Sequence, residues 1–430
     1  MTVVYLFKRD LRLEDNRGLQ KACELSKYVV PVFVFDPKII QELKAHGERL
    51  FYLYRAVKNL SQKIKLYCFY KDTKSALIEV FKIAKPYALV CTSSYSWSGK
   101  ERNEELRSLC KEMGVEFVEV FDNFLVEPER VAPRKVFTPF FNEWVKRLNL
   151  TTAKEQDFTV PHLPLPTLED VEKELSLKAF YAFEPSDCEK RLLSFPFEEY
   201  EQKRDFPAMD GTSKLSPCIR FGILSIRRIY QQANGKSLRF IKELAWREFW
   251  YHIAYHFPFV RTLEFQEKRR GIKWENREDL IRAFFDARTG YPIVDAGVRQ
   301  LLTEKWLHNR LRMILASFLT KVLFVDWRIG EEFFKEHLLD YDEVVNVGNW
   351  QWSASVGADP KPLRLFNPML QAQKYDPDCS YIKKYIPELK DTPCPMLHDP
   401  LRHRLNYHKP VVDYYERVKR LRALYSKVFP

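Results

Sequence analysis

The sequence lacks several features that would assign it to a familiar class of protein. It holds only 13 glycines in 430 residues and no G-x-G-x-x-G after its first apolar run, so the usual device for dinucleotide binding at that turn is absent. Its eight cysteines include no C-x-x-C pair and no Cys/His spacing typical of a metal site, which favours free thiols in a reducing cytoplasm.

Long hydrophobic runs are missing as well. The longest, residues 313–325, is interrupted by Lys321 and is shorter than the roughly 20 residues that a membrane helix needs. The apolar stretch at residues 3–7 is too short for a secretion signal, and charged residues follow it at once. We therefore expect a cytoplasmic globular protein with no membrane association and no bound metal.

The positive charge is unevenly distributed along the chain. The net charge is +12, and residues 196–430 carry 39 Lys and Arg against 30 Asp and Glu, whereas residues 1–195 carry 31 against 28. A basic C-terminal half is typical of proteins that bind a polyanion such as DNA. Basic residues that only solvate the surface would give the same count, so charge alone leaves both interpretations open.

Short β-rich runs alternate with amphipathic helical stretches over the first 125 residues. Continuous apolar strands separated by helices predict an α/β domain with a parallel five-stranded, Rossmann-like sheet covered on both faces. The predicted strands are residues 3–7, 29–36, 66–70, 88–95 and 115–122.

The pattern changes twice further along the chain. Eight prolines between residues 128 and 196 break the periodicity, which predicts a long linker over residues 126–195. Beyond it helical spacing dominates, so we predict an all-helical domain over residues 196–430 and an α/β domain over residues 1–125. The predicted helices include residues 238–257, 277–287, 294–304, 310–325 and 330–339.

The helical part is rich in tryptophan: seven of the nine tryptophans follow residue 245. Core packing is the simpler explanation for any one of them. Several, however, stand beside charged or amide groups. Helical spacing puts Glu243, Trp246 and Arg247 on one face, and Asn309 shares a face with Met313. Such groups converging in one domain indicate a polar pocket with aromatic walls.

A second feature is the segment 212–217, Thr-Ser-Lys-Leu-Ser-Pro. Pro217 at the first helical position predicts that Ser216 caps a helix whose N–H groups face outward. Together with Lys214 and two further hydroxyls, this helix start could bind an anion such as a phosphate. Plain helix capping explains the same residues, and the absence of P-loop glycines argues against nucleotide hydrolysis.

These residues lie in segments that resemble the signature segments of the cryptochrome/photolyase family, in particular class I cyclobutane-pyrimidine-dimer photolyases. The similarity extends from the first strand to about residue 386, in family order. The family has an N-terminal α/β domain, a linker and an all-α, FAD-binding C-terminal domain, which agrees with the division predicted above. The matching segments are residues 7–16, 212–216, 243–249, 289–296, 308–313 and 346–352.

The resemblance implies a site for FAD folded so that its adenine lies near its isoalloxazine ring. Asp340, paired with Arg312, and Asp342 would neighbour the ring and adenine, and Arg247 would lie against the flavin. Asn346 would face the flavin N5, where an amide can accept a hydrogen bond from a protonated nitrogen. The ribityl chain and pyrophosphate would contact Tyr200, Thr212, Ser213, Lys214, Leu215 and Ser216.

The resemblance also implies an electron-transfer path from the flavin to the surface through Trp350, Trp327 and Trp274. Indole is readily oxidised, so short steps between rings allow light to reduce the flavin. The implied reaction is light-driven electron transfer from reduced FAD to a pyrimidine dimer, whose cyclobutane ring then splits. It needs no side-chain nucleophile.

The same comparison implies how damaged double-stranded DNA would be bound. A dimer pairs poorly, so extruding it from the duplex costs less than extruding a sound base. Trp246 and Trp352 would stack on it, while Asn309 and a protonated Glu243 would hydrogen-bond its edges. Basic groups would hold the backbone without reading sequence. The lesion or backbone contacts are Arg204, Glu243, Trp246, Asn309, Arg310, Met313, Trp352, Arg364 and Gln371, and those closest to the chemistry are Glu243, Asn309, Met313 and Asn346.

Family members with other functions carry different residues at several positions that can be compared with this sequence. A (6-4) photolyase would carry histidines where this chain has Asn309 and Met313, and on a helix the neighbouring His308 points about 100° away. Plant-type cryptochromes tend to have Asp in place of Asn346 and a long C-terminal extension. Single-strand-preferring relatives differ around residues 308–313. A nonenzymatic nucleic-acid-binding protein would explain the charge but not the aspartates near Asn346.

A second, light-harvesting chromophore is common in the family. Folate, deazaflavin, FMN and FAD all remain open here, because residues 95–101 match none of these antenna types cleanly. Arg9, Asp36, His46 and Glu101 stand near plausible contacts, although Arg9 is equally well explained as a structural ion-pair partner. We expect the protein to act as a monomer.

Overall fold

The computed structural model describes residues 1–42, 47–359 and 363–428, with the side chains of residues 424–428 excepted. The chain forms two compact units. The first unit comprises Met1–Ala132, Phe141–Phe195 and Ser213–Tyr251. The second comprises Pro133–Phe140, Pro196–Thr212 and the chain from His252 onward. Each unit is described by itself below.

A five-stranded parallel sheet forms the centre of the first unit, as predicted. Its strands are β1 (Thr2–Leu6), β2 (Tyr28–Val34), β3 (Tyr67–Phe69), β4 (Ala88–Thr92) and β5 (Glu116–Val120). Their order in the sheet is β3-β2-β1-β4-β5. The central strands are buried almost throughout, because helices cover a parallel sheet on both faces.

The order of the strands defines one crevice. The chain leaves β1 toward β2 on one side and later returns to place β4 on the other side. In open α/β sheets ligands bind where the order reverses, outside the carboxyl ends of the strands. Here that point lies between residues 7–10 and residues 93–97.

Helices make up most of the remaining chain. Those that follow the strands are α1 (Arg17–Leu25), α2 (Pro37–Glu42), α3 (Gly47–Ser61), α4 (Thr73–Ala84) and α5 (Trp97–Met113). Then come α6 (Phe137–Trp144), α7 (Leu168–Val171), α8 (Cys188–Ser194), α9 (Tyr200–Lys203), α10 (Ser216–Arg220), α11 (Ile226–Ala233) and α12 (Leu238–His256). The last are α13 (Glu278–Phe285), α14 (Pro292–Glu304), α15 (Asn309–Ser317), α16 (Trp327–His337), α17 (Glu343–Ser353), α18 (Pro368–Tyr375), α19 (Ser380–Tyr385), α20 (Cys394–His398) and α21 (Tyr414–Val428).

The architecture therefore matches the predicted fold class, an α/β part followed by a helical part. From residue 196 onward the described residues form no strand. Among the described residues, no helix combines the length and the apolar character that a membrane crossing requires.

One predicted helix is interrupted. The apolar pattern over residues 310–325 suggested a single helix, but α15 ends at Ser317 and a π-helical turn follows over Phe318–Val322. The Thr320 hydroxyl donates to the carbonyl oxygen of Ala316 at 2.6 Å, which competes with the regular helical bonding there. Short π turns of this kind are typical of functional regions.

The prediction that all the cysteines are free thiols is wrong for four of them. Cys188 is bonded to Cys218 and Cys379 to Cys394, with Cα–Cα distances of 5.8 and 5.7 Å. The partners are 30 and 15 residues apart in sequence, so the tertiary structure, not a short motif, brings them together. Cys23, Cys68, Cys91 and Cys110 are free.

The helix start near residue 216 also differs from its prediction. Helix α10 begins at Ser216 itself, so the N-cap residue is Leu215, and no side chain caps the helix. Lys214 just before it adopts a left-handed backbone with φ of 52°. This turn shifts the helix start by one residue relative to the position that Pro217 suggested.

Candidate functional site

Asn346 on α17 has its side-chain amide fixed by one neighbour. Its Nδ2 donates to the carbonyl oxygen of Glu331 at 3.1 Å and to the Glu331 carboxylate at 3.0 Å. The Tyr341 hydroxyl donates to the same carboxylate oxygen at 3.0 Å. Burial raises the pKa of Glu331 despite these hydrogen bonds. Both amide hydrogens are therefore engaged, and Oδ1 is left as an acceptor.

A carboxylate–guanidinium pair lies near the start of the same helix. Arg312 donates from Nη2 to both oxygens of Asp340, at 3.1 and 2.8 Å, so the predicted pair forms. Arg312 also donates to the carbonyl oxygen of Leu307 at 2.9 Å, which orients the guanidinium. The Asp340 side chain is almost fully buried, and such a group needs a charged partner.

Asp342 is the N-cap of α17. Its carboxylate accepts hydrogen bonds from the backbone N–H groups of Val344 and Val345, both at 3.2 Å. This capping fixes where α17 begins and thus which residues of the helix face the same side. Asn346 and Trp350 are four residues apart and lie on one face.

Trp350 is buried against α16. Its ring packs edge-on against Phe334 at 4.9 Å, and its six-membered ring occupies the space where a side chain at Gly330 would stand. Its Nε1 is buried and has no hydrogen-bond partner among the described residues. A glycine is required there because only a residue without Cβ admits the indole so close to the helix.

Trp327 is the first residue of α16, three residues before Gly330 and so on the same face of that helix. Its Nε1 donates to Glu264 at 3.2 Å, and Arg328 lies 4.5 Å from its ring centroid. Arg328 in turn is paired with Glu264 at 2.9 Å. Trp327 on α16 and Trp350, which packs against α16 from α17, are thus both in contact with this helix within the second unit.

Trp274 is half-buried and packs 5.9 Å from the ring of Phe324. Leu421 and Leu365 belong to the same apolar cluster. A half-buried indole is suited to exchange charge with solvent, in contrast to Trp327 and Trp350, which are 1% exposed.

Helix α15 presents a polar face. Asn309 Nδ2 lies 3.8 Å from the sulfur of Met313, which confirms that the two share a face. His308, its neighbour, is buried and caps the helix by accepting from the backbone of Arg310. Burial lowers the pKa of His308 to about 3, so this imidazole is neutral at physiological pH. It is a capping residue rather than part of the exposed face.

Two arginines share one aspartate next to this face. Arg310 pairs with Asp205 at 2.7 Å, and Arg204 does so at 3.4 Å. Burial opposes ionisation of Asp205, but the bond from Arg310 and the two positive charges lower its pKa. Arg310 also stacks on Tyr375 at 4.2 Å. The cluster keeps one net positive charge, which suits a phosphate.

Trp352 and Arg364 form a second aromatic–cation pair, 4.2 Å apart. Trp352 Nε1 donates to Asp359 at 3.4 Å, and Arg364 lies 3.7 Å from the same carboxylate. These three residues line a small cavity. Gln371 on α18 has a buried Oε1 with no partner among the described residues. The arrangement offers a stacking surface with hydrogen-bonding groups near it.

In the first unit, the predicted face of α12 forms. Arg239 lies 3.5 Å from the Glu243 carboxylate one turn away. Trp246 packs against Trp250 at 5.6 Å and edge-on against Phe249 at 5.4 Å. Trp246 is partly exposed, so one side of its indole is accessible to a ligand.

Three neighbouring residues fix the orientation of the Arg247 guanidinium. It donates to the carbonyl oxygen of Asn123 at 3.2 Å and lies over the rings of Phe124 and Tyr251, at 4.6 and 5.4 Å. These contacts orient a guanidinium that remains partly exposed.

Residues 212–215 form an irregular turn, and Ser216 begins α10. Ser213 Oγ accepts from the backbone N–H of Leu215 at 3.4 Å, and Leu215 is buried. Thr212, Ser213, Lys214 and Ser216 are partly exposed. In the second unit, Tyr200 is buried and has Arg204 5.3 Å over its ring. The turn offers hydroxyl, amine and backbone donors of the kind that bind phosphate.

Two of the residues named for an antenna, Arg9 and Asp36, are held by hydrogen bonds to other residues of the first unit. Arg9 donates to the Tyr251 hydroxyl at 2.9 Å, and Asp36 accepts from the backbone and hydroxyl of Thr73 at 2.8 and 2.7 Å. His46 lies outside the described residues, and Glu101 is exposed. Trp97, at the start of α5, is nearly buried, with its Nε1 lacking a partner among the described residues.

Sequence reasoning missed the residues that support the site. Glu331 and Tyr341 orient Asn346, Glu264 holds Trp327, and Gly330 admits Trp350. Gly330 and Glu331 lie on a stretch that was recognised only as helical, and Glu264 and Tyr341 lie in connecting segments without a recognised pattern. A signal was available for Gly330, because an isolated glycine inside a helical pattern indicates close packing.

Two protein-family models match the chain. The model described as DNA photolyase matches residues 3–162, and the model described as the FAD binding domain of DNA photolyase matches residues 240–427. One relative is the deoxyribodipyrimidine photo-lyase of a Synechococcus species. It is 34% identical over an alignment of 469 residues, gaps included, that covers 99% of this chain and 96% of the relative.

Solved structures show the same similarity. The archaeal photolyase from Sulfolobus tokodaii, described with two FAD molecules, matches with a TM-score of 0.92 at 33% identity, covering 99% of this chain and 100% of that one. A bacterial class III photolyase from Agrobacterium tumefaciens matches with a TM-score of 0.90 at 30% identity, covering 99% and 97%.

Proposed function

This chain belongs to the photolyase/cryptochrome family, and from that membership we infer that it is a deoxyribodipyrimidine photo-lyase. The enzyme binds FAD and repairs cyclobutane pyrimidine dimers in DNA in the light. The observation that carries this function is the side chain of Asn346, whose amide hydrogens are taken by Glu331 while its oxygen is left to accept.

The residues present fit a reduced flavin. When bound, reduced FAD supplies the electron that light transfers to the dimer. We propose that Asn346 Oδ1 accepts from the protonated N5 and that Glu331 prevents the amide from turning its NH₂ group toward it. The Arg312–Asp340 pair and Asp342 would border the ring and adenine.

For the remainder of the cofactor we propose the contacts that the resemblance to the family implies. Arg247 would lie against the flavin, and Tyr200 with residues 212–216 would contact its ribityl chain and pyrophosphate. The left-handed Lys214 and the exposed hydroxyls of this turn support a phosphate contact.

We propose that Trp350, Trp327 and Trp274 carry electrons between the flavin and solvent. The contact of Trp350 with Gly330, one turn from Trp327, supports the first step. The exposure of Trp274 supports its place at the end. This path reduces the flavin and is separate from repair itself.

For lesion binding we propose the residues that the resemblance to the family implies. Trp246 and Trp352 are partly exposed and offer indole faces for stacking on a dimer. Asn309 and Met313 share a face, and Glu243 stands one turn from Trp246. Arg204, Arg310, Arg364 and Gln371 would hold the flanking backbone without reading sequence, since their groups suit phosphate and sugar.

Within the family we propose the class I, dimer-specific type. Asn309 and Met313 occupy the positions where a (6-4) enzyme would carry histidines, and His308 is buried as a helix cap. Asn346 differs from the aspartate of plant-type cryptochromes. A light-signalling role and a preference for single-stranded DNA are the alternatives that the experiment below separates.

A second FAD is our proposal for an antenna chromophore. The Sulfolobus tokodaii structure is described with two FAD molecules, with the implication of a novel light-harvesting cofactor, and it matches this chain over nearly its full length. The crevice between β1 and β4 is where such a ligand is expected. Trp97, whose Nε1 has no hydrogen-bond partner among the described residues, begins the helix that follows β4. Arg9 and Asp36 would then shape the pocket through their partners.

We further propose residues 1–125 as the antenna domain, residues 126–195 as the linker and residues 196–430 as the FAD- and DNA-binding domain. The protein would act as a cytoplasmic monomer on duplex DNA of any sequence. Disulfides are compatible with that location in hyperthermophiles, whose intracellular proteins carry them.

The decisive experiment illuminates reduced, FAD-loaded protein with blue light in the presence of oligonucleotides. Four substrates are compared: a thymine dimer in duplex, the same dimer in a single strand, a (6-4) product in duplex, and undamaged duplex. We expect thymines to be restored from the duplex dimer only in the light. Binding of FAD without repair of any substrate would contradict the proposed repair activity and favour a light-signalling role.

A further inference from the structure

Three potential metal ligands converge beyond α18. The Nε2 atom of His398 lies 3.2 Å from the sulfur of Cys379 and 3.5 Å from the sulfur of Cys394. All three ligand atoms lie within 4.8 Å of one another. His398 and Cys379 are buried, and Cys394 is partly exposed. Thiolate and imidazole are the ligands that Zn²⁺ prefers, with bonds of about 2.0–2.3 Å, so one ion could be bound by all three.

The local structure positions these groups without contribution from the flavin site. Cys394 and His398 are four residues apart on α20 and therefore lie on one face. Cys379 is the N-cap residue of α19 and has a φ of 57°. A left-handed backbone favours glycine or asparagine, so a cysteine at this position indicates that its sulfur is required.

A backbone carbonyl oxygen close to His398 could serve as a further ligand. The carbonyl oxygen of Asp376 lies 2.9 Å from His398 Nε2. The Asp376 carboxylate is already used, because it accepts from the backbone N–H groups of Tyr381 and Ile382 at the start of α19. The turn is therefore held in place whether or not the two sulfurs are bonded to each other.

The second disulfide of the chain lacks this arrangement. Cys188 and Cys218 have the hydroxyl of Tyr52 nearby, 3.6 Å from Cys188, and belong to no group of metal-ligating side chains among the described residues. Both pairs have similar Cα separations. The chain thus contains its own control: one disulfide with a histidine against both sulfurs and one without.

We propose that Cys379, Cys394 and His398 form a site for one Zn²⁺ ion when their disulfide is reduced. A dithiol reductant supplies two electrons and two protons to the S–S bond and itself becomes a disulfide. Binding of Zn²⁺ then releases the two thiol protons. The proton that His398 Nε2 donates to the Asp376 carbonyl oxygen moves to Nδ1 through solvent, so that the imidazole stays neutral and Nε2 binds the metal. The Asp376 carbonyl oxygen or a water completes four ligands.

The ion would take over the structural role of the disulfide. In either form the covalent or coordinate link joins the start of α19 to α20, directly after the helix that carries Gln371. The site is independent of FAD, so its existence does not depend on the proposed photolyase function.

The test uses full-length protein with FAD, either oxidised or reduced with a dithiol under anaerobic conditions. Each sample is incubated with ZnCl₂, passed through a desalting column and analysed for zinc. We expect one zinc per reduced chain and none per oxidised chain. Co²⁺ in place of Zn²⁺ should give the visible bands of tetrahedral thiolate coordination.

Variants identify the ligands. His398→Ala should weaken zinc binding by roughly tenfold or more, because one of few ligands is lost. The double variant Cys379→Ser, Cys394→Ser should retain no zinc, and the matched double variant Cys188→Ser, Cys218→Ser should retain one. Reduced wild-type protein without zinc, or equal zinc in the Cys379→Ser, Cys394→Ser protein, overturns the proposal. Light-dependent repair, measured on the same samples, reports separately on the proposed enzyme.

Discussion

The six-membered ring of Trp350 stands where a side chain at Gly330 would be, one helical turn from Trp327. The absence of a Cβ at position 330 is what allows the indole to contact α16. Core packing alone would be satisfied by a smaller side chain at position 350. The combination of a large indole and a glycine brings Trp350 against the helix that begins with Trp327.

Gly330→Ala should therefore affect both stability and electron transfer. The added methyl group would force Trp350 away, and overpacking of this kind costs about 1–3 kcal/mol. We expect a lower free energy of unfolding in denaturant titrations and slower light-driven reduction of oxidised FAD. Gly271→Ala is the matched control, since a Cβ there meets no atom within 4 Å. Equal behaviour of the two variants would contradict this account of the contact.

Replacing Trp327 should separate flavin reduction from repair. Trp327→Phe keeps an aromatic ring in the core but is much harder to oxidise, so light-driven reduction of FAD should slow by at least an order of magnitude. Repair by chemically reduced protein should be almost unchanged. Stopped-flow absorbance under illumination measures the rate of FAD reduction, and restoration of thymines from a dimer measures repair. Trp306 is another buried tryptophan, so Trp306→Phe is the control. FAD in this variant should be reduced by light at the wild-type rate.

Glu331 should act through Asn346. Glu331→Ala removes one acceptor of the Asn346 amide, so the amide can rotate and present its NH₂ group to the flavin. We expect reduced FAD to reoxidise several-fold faster in air and its midpoint potential to fall, because the protonated N5 of the reduced flavin loses its acceptor. Glu331→Gln keeps an acceptor oxygen and should restore much of the slow reoxidation. The neighbouring Glu332→Ala should behave like wild type; if it matches Glu331→Ala, the effect is not specific to Asn346.

Glu248 should make stability depend on pH. This buried carboxyl accepts from the backbone of Leu125 and Val126 and from Trp144, at 2.6, 3.1 and 2.7 Å. Burial raises its pKa to about 7 from 4.5. The folded state therefore holds a proton that the unfolded state has lost between these values, and the free energy of unfolding falls as pH rises from 4.5 to 7.

The variant Glu248→Gln isolates this contribution. Its free energy of unfolding minus that of wild type should rise across pH 4.5–7, by on the order of 3 kcal/mol, and be flat on either side. Urea titrations at several pH values measure it. The exposed Glu278→Gln is the control and should show no such rise. A constant difference across the window would show that Glu248 does not titrate there.

Local patterns predicted the elements well. Apolar runs identified the five strands to within a few residues, and helical spacing identified α12, α13, α14 and α16. They failed where a tertiary or local side-chain contact overrides the pattern. The π turn after Ser317 and the start of α10 at Ser216 are examples. The cysteine pairs are another, because residues 15 and 30 apart meet only after folding.

The sequence by itself determined the fold class, the family and the types of side chain at each proposed position, because these follow from periodicity and from motifs of contiguous residues. Apart from the Arg312–Asp340 pair and the shared face of Asn309 and Met313, the tertiary structure decided the orientation of these side chains and their partners. It places both hydrogens of Asn346 on Glu331, the ring of Trp350 on Gly330, and His398 against two sulfurs. Such contacts join residues from separate turns and helices, and their geometry is fixed by packing rather than by sequence spacing.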